Sequence, residues 1–172
     1  FALFMKNFDT VEEKLSYRDG KALEDVLKYC EPERRSGFLT DLINLISEIC
    51  FYDIKKAEAQ FDFYLSYIND DDILKKTLVS LASNLQAKGF FSLAEKYLTL
   101  AIKNDKENAE LYWQLIQVKT HCHSESELLT TSVKISEMED WKTLLNFASD
   151  EQAEKYSQVV AKANTTSTKK LF

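Results

Sequence analysis

The chain has 172 residues, with 28 acidic against 22 basic side chains, a net charge of −6, and only three Gly and one Pro. An average globular protein carries roughly 7% Gly and 5% Pro, so turn chemistry is too scarce for a hairpin-rich β fold. The length fits one helical domain, or two small ones. The basic residues pair off in isolated spots, Arg34-Arg35, Lys55-Lys56, Lys75-Lys76 and Lys169-Lys170. That excludes the cationic stripe that phosphate binding needs, and no apolar run reaches the 18 residues of a membrane span, so neither nucleic acid nor a membrane is expected as a partner.

Helical period and breakers predict short amphipathic segments in chain order. Residues 7–17 and 21–30 form a first pair around Arg18-Asp19-Gly20, closed by Glu31-Pro32, since Pro cannot continue a helix interior. Ser36-Gly37 separates that pair from a second, 38–51 and 54–68. Asn69-Asp70-Asp71-Asp72 reads as a cap cluster that launches 72–88, and Gly89 breaks that helix. Ser92 is placed as the cap of 92–104, which ends at Asn104-Asp105, and 109–121 follows. The stretch 122–137 is irregular, with a helical turn at Glu125 to Leu129. Two helices, 138–148 and 150–163, close the pattern; Ser149-Asp150-Glu151-Gln152 has the spacing of a capping box and Asn164 marks the stop. The tail 165–172 is polar and is expected to fray.

Laying the second pair over the third at an offset of 35 sets Ile43 on Leu78, Ile46 on Leu81, Ser47 on Ala82, Cys50 on Leu85, Ala59 on Ala94, Phe63 on Leu98, Leu65 on Leu100 and Ser66 on Ala101. Asn69-Asp70 then matches Asn104-Asp105, and a further shift of 34 carries Leu78 and Leu81 onto Tyr112 and Leu115. Such a period means stacked helical hairpins, with Ala59, Ala94 and Ala101 buried where helices approach closely.

The run Gly89-Phe90-Phe91-Ser92-Leu93-Ala94-Glu95-Lys96-Tyr97-Leu98-Thr99-Leu100-Ala101 through Tyr112 resembles a tetratricopeptide repeat. It has that family's glycine turn, the aromatic after it, the two alanines of the second helix and the aromatic that opens the next repeat. The resemblance is good over 75–121 and fair over 40–74. Departures are Lys106 where the family has Pro, Ile116 in place of a small residue, and no proper second helix in 122–137. The stretch from Asn108 to Val160 is also similar to helical regions of multidomain bacterial proteins. The resemblance implies an all-α fold: stacked antiparallel helical hairpins in a right-handed array with an irregular C-terminal helical cap. Residues 1–164 then form a single repeat domain, with an N-terminal hairpin (1–37), a repeat core (38–121) and a cap (122–164), followed by the polar tail 165–172.

In such stacks the first helix of each hairpin lines a concave groove, and the resemblance puts Asn44, Glu48, Phe51, Val79, Ser83, Gln86, Trp113 and Gln117 on it. The Lys and Asn set with which chaperone-binding members clamp a C-terminal carboxylate is missing, since Asn44, Glu48, Ser80, Glu110 and Gln114 stand in its places. The implied function is a non-catalytic protein-interaction module that takes a peptide or helix, with Phe51 and Trp113 as aromatic anchors. A structural or oligomerisation domain that pairs with a second copy is the first alternative, and packing of Trp113 into the core is the alternative for that residue. A fragment of an enzyme whose chemistry lies elsewhere is the last alternative.

The chemistry-bearing residues point the same way. His121-Cys122-His123 would set its imidazoles about 200° apart on a helix, too far round to share one ion. The Asn69 to Asp72 cluster lacks the Gly and distal Glu of a calcium loop. Only these two His exist to serve as a base for a nucleophile, and the nearest two Gly, Gly20 and Gly37, lie too far apart for a phosphate cradle. No cofactor, metal or catalytic residue is therefore expected. Cys30, Cys50 and Cys122 are an odd number without a C-x-x-C, which reads as buried thiols in a reducing cytoplasm. The chain opens on Phe1 with neither a charged leader nor a cleavage-site pattern, which reads as a piece of a longer, non-secreted protein.

Overall fold

The computed structural model describes residues 31–49 and 53–169, without the side chains of 32, 33, 46, 48, 49 and 164–169. The expected helices 7–17 and 21–30 lie outside this range. All regular structure among the described residues is helical, in the order α1 (Pro32–Ile49), α2 (Ile54–Leu65), α3 (Asp71–Ala87), α4 (Phe91–Asn104), α5 (Ala109–Lys119), the 3₁₀ turns Glu125–Thr130 and Ile135–Glu137, α6 (Glu139–Phe147) and α7 (Asp150–Lys169). None of these helices is long and apolar enough to cross a membrane. The chain divides into two units at Thr77/Leu78, within α3.

In the first unit α1 packs against α2. Leu39, Leu42 and Ile43 form the buried stripe of α1, and Ala57, Phe61, Tyr64 and Leu65 that of α2, the i, i+3, i+4 recurrence of an amphipathic helix. Asp53 caps α2 by accepting the Lys56 N–H at 3.1 Å, and that bond holds its carboxyl below the usual range. Asp70 caps α3 through Ile73 N–H at 2.9 Å. Thr40 on α1 meets Thr77 at the unit's end with their hydroxyls 2.8 Å apart.

Several boundaries differ from the sequence expectation, each for a local reason. Pro32 opens α1, ahead of the expected start at 38, because the first helical position needs no N–H and suits its fixed φ. The helix then runs through Ser36-Gly37; a Cβ at Gly37 would meet nothing within 4 Å, so only propensity opposes helix there. Ser92 is not the cap of α4, which begins one residue earlier, and the Leu93 and Ala94 N–H groups bond to the Phe90 carbonyl at 3.1 and 3.0 Å. At the far end α7 continues through Asn164 to Lys169, since neither Gly nor Pro follows Asn164 to stop it. The capping box at its start forms as read: Ser149 N–H donates to Gln152 Oε1 at 3.1 Å and Gln152 N–H to Ser149 Oγ at 3.3 Å.

The repeat register is also corrected. Burial recurs at an offset of 37 between α2 and α4, where Ala57, Gln60, Phe61 and Tyr64 match Ala94, Tyr97, Leu98 and Ala101. It recurs at 39 between α1 and α3, where Leu39, Leu42, Ile43 and Ser47 match Leu78, Leu81, Ala82 and Gln86. Ala94 and Ala101 are fully buried, whereas Ala59 is exposed. The Asn-Asp pairs misled the alignment because they serve opposite helix ends: Asp70 caps the start of α3, and Asp105 caps the end of α4.

The second unit carries a buried cluster built from several elements. Ala109, Trp113 and Ile116 on α5 pack with Cys122, Leu128, Ile135, Trp141, Leu144, Tyr156 and Val160. On the other side of α5, Leu111, Leu115 and Val118 are buried as well, and the helix packs against both α4 and α6. Two faces of α5 are therefore core faces, while Glu110, Gln114, Gln117 and Lys119 keep a third side polar. Ile116 fits where the repeat pattern would hold a small residue because it fills a cluster that the 3₁₀ turns, α6 and α7 build together against this face of α5.

Ala94→Leu should overpack its site and lower stability by about 1–3 kcal/mol, while Ala59→Leu, on an exposed face, should change it by less than about 0.5 kcal/mol. Urea denaturation followed by circular dichroism reads both; equal effects would contradict the corrected register.

Candidate functional site

Of the residues read onto the groove, Asn44 is half-buried on α1 in the first unit, and Phe51 and the Glu48 side chain lie outside the description. Val79, Ser83, Gln86, Trp113 and Gln117 belong to the second unit. Val79, Ser83 and Gln86 follow at i, i+4 and i+7, which puts them on one face of α3. Their exposure falls along that face: Ser83 is exposed, Val79 half-buried and Gln86 only 5% exposed.

What joins this face to α5 is a residue the groove reading left out. Gln114 Nε2 donates to Ser83 Oγ at 2.8 Å and to Gln86 Oε1 at 3.1 Å. Gln86 Nε2 in turn donates to the Cys122 carbonyl at 2.8 Å, and Ser83 Oγ to the Val79 carbonyl at 2.9 Å. A buried primary amide costs its desolvation unless its polar atoms find partners, and this network gives one to both the nitrogen and the oxygen of Gln86. Gln117 is half-buried, one turn beyond Gln114, and its carbonyl takes the Cys122 N–H at 2.9 Å. The chain thus presents a row of amide and hydroxyl groups across α3 and α5, with Glu110 exposed one turn before Gln114.

Trp113 is not on that row, and of its two readings, groove anchor and core residue, the second describes its surroundings. It is 5% exposed, its ring stacks on Tyr156 at 4.5 Å and lies against Trp141 at 6.2 Å, and its indole N–H donates to Glu125 Oε2 at 2.8 Å. The physical reason is angular: Gln114 takes the α3-facing position, so its neighbour Trp113 points about 100° round the helix, into the C-terminal cluster. Burial pushes the Tyr156 hydroxyl up, and the charges of Glu110 and Glu125 add to the effect. Nothing in the sequence marked Glu125 as the indole's partner, because only the turn after α5 brings it back.

The remaining chemistry-bearing residues are placed as follows. His121 and His123 fall after the end of α5 and both contact the Phe91 ring, with centroids at 5.0 and 5.1 Å. Cys122 between them is 4% exposed, and burial pushes its thiol up, which disfavours the reactive thiolate. Among the described residues no three His, Cys, Asp or Glu side chains are grouped as a metal site. Tyr112, the aromatic that opens the next repeat, donates its hydroxyl to the Lys106 carbonyl at 3.0 Å and stacks on Phe147 at 6.0 Å.

Compared with protein families, curated proteins and solved structures, the chain finds no match.

Trp113→Ala should remove about 3–5 kcal/mol of stability, which in a domain of this size unfolds a large fraction of molecules. Trp113→Phe keeps one aromatic ring but loses part of the indole's volume and its N–H bond to Glu125, and should cost about 1–3 kcal/mol. Chemical denaturation of the three proteins gives the ranking; a Trp113→Ala protein as stable as the parent would return the indole to the surface.

Proposed function

We propose that this chain is a non-catalytic protein-interaction module that binds a peptide or helical segment across the α3–α5 face. The observation that carries the reading is the fork from Gln114 to Ser83 and Gln86. In a stack of hairpins the first helices of successive hairpins lie side by side, and a direct side-chain bond between α3 and α5 is what that arrangement requires. Of the residues named in this row only Glu110, at its edge, is charged, and the row holds hydroxyl and amide groups that can donate and accept. Such groups suit the backbone of an extended peptide or the polar flank of a helix. Trp113 is not kept as an anchor of this face. The finer readings belong to this proposal too: a tetratricopeptide-like right-handed superhelix, a cytoplasmic setting and a place within a larger protein.

A second reading, self-association, is favoured by Val133, Leu145 and Phe147, which are 41, 40 and 38% exposed and lie between the second 3₁₀ turn's approach and the end of α6. Sedimentation at several concentrations separates a monomer from a dimer.

Selection from a displayed random-peptide library with the purified chain tests the main reading. Enriched peptides should bind Gln114→Ala and Ser83→Ala variants more weakly by about 1–2 kcal/mol and bind Glu154→Ala, on α7, as they bind the parent. No enrichment, or enrichment insensitive to Gln114 and Ser83, contradicts the proposal.

A further inference from the structure

Both histidines of the chain sit at one joint, and one of them occupies a backbone position where a side chain is unfavourable. α5 ends with His121 N–H bonded to the Val118 carbonyl at 3.0 Å and Cys122 N–H to the Gln117 carbonyl at 2.9 Å, with His121 at φ 57°. α3 ends in the same way: Gly89 N–H meets the Gln86 carbonyl at 3.0 Å, Phe90 N–H meets the Leu85 carbonyl at 2.9 Å, and Gly89 has φ 80°. These are paired helix stops of one type, whose left-handed residue is ordinarily Gly because Cβ crowds the backbone there. His121 therefore stands where its counterpart is Gly89, and it accepts the strain.

Its ring does something glycine cannot. The His121 imidazole lies nearly parallel to the Phe91 ring, 5.0 Å between centroids and 9° between planes, and His123 contacts the same ring at 5.1 Å. His123 Nδ1 is 3.0 Å from the Gln86 carbonyl; a carbonyl only accepts, so this nitrogen carries the proton. Gln86 returns the contact, its Nε2 bonded to the Cys122 carbonyl, while the His123 N–H is held by Glu127 Oε2 at 2.8 Å. His123 packs close over Gly89, where a Cβ would touch its Cε1 at 3.4 Å, and the φ of 80° is what calls for glycine there. Phe91 is the first residue of α4. The turn after α5 thus grips the end of α3 and the start of α4 together.

We infer that His121, Phe91 and His123 form a conformational clasp, in which backbone strain at His121 is retained so that its ring can hold Phe91 and fix the joint between α3, α4 and α5. Strain kept at a surface position indicates a role beyond capping, and this clasp supplies the role. It does not rest on the binding proposal.

His121→Gly separates a clasp from a mere helix stop, because it installs the residue best suited to the stop and deletes the ring. Amide hydrogen exchange read residue by residue reports the joint through Leu93 and Ala94, whose N–H groups bond to the Phe90 carbonyl. The clasp predicts that His121→Gly speeds exchange at these two amides at least tenfold while α6 amides keep the parent rates. It also predicts that the same substitution in a Phe91→Leu background adds no further acceleration, and that His123→Ala speeds the same amides. Unchanged or slower exchange at Leu93 and Ala94 in His121→Gly overturns the inference, and so does an acceleration spread evenly over α5 and α6.

Discussion

The second unit depends on the need to bury two opposite faces of α5 at once. Its eleven residues carry apolar groups on two opposite faces, Leu111, Leu115 and Val118 on one and Ala109, Trp113 and Ile116 on the other. Burying a large apolar side chain is worth roughly 1.5–3 kcal/mol, so leaving either face wet would forfeit several such terms. α4 and α6 both pack on this helix. The 3₁₀ turns and Tyr156 of α7 complete the enclosure around Trp113. Charge plays a small part by comparison: Lys119 reaches Asp140 at 2.8 Å and Glu95 at 3.9 Å, a partly exposed bridge of the kind that contributes at most about 1 kcal/mol.

Enclosing α5 also creates the polar features on which the functional reading stands. Bringing the end of α3 beside α5 buries Gln86, whose amide must then find partners, and it finds them in Gln114 and the Cys122 carbonyl. The same approach sets Ser83 and Gln114 at the surface in one row and draws the turn after α5 against Phe91. Surface row and helix joint are therefore two outcomes of one packing problem.

Much of this architecture was legible in the sequence. Scarce Gly and Pro, helical period, the Asp70 and Ser149 caps, the break at Gly89 and the burial of Ala94 and Ala101 are local signals, and each corresponds to a feature of the structure. The misreadings are of another kind. Ser36-Gly37 and Asn164 carry signals that fit either a stop or a continuation, and neighbours decide. Ala59 was misplaced by two Asn-Asp pairs that look alike and cap opposite ends. Among the candidate site residues, Val79 and Ser83 could be placed from helical spacing. Trp113 could not, because a turn of 3₁₀ helix and a residue forty-odd positions away decide whether that side of α5 is covered. The absence of any strong pattern in 122–137 concealed the layer that covers it.

The central claim is that Trp113 belongs to the core around α5. Trp113 and Trp141 are the chain's only two tryptophans, 5 and 7% exposed, so intrinsic fluorescence reports on that core alone. Iodide quenching of the native protein, followed through urea unfolding alongside helical circular dichroism, reads it directly. The account predicts blue-shifted, poorly quenched emission that turns red and quenchable in the same transition that removes the helix signal. Red, freely quenched emission from the folded protein would place an indole on the surface and contradict the enclosure of α5.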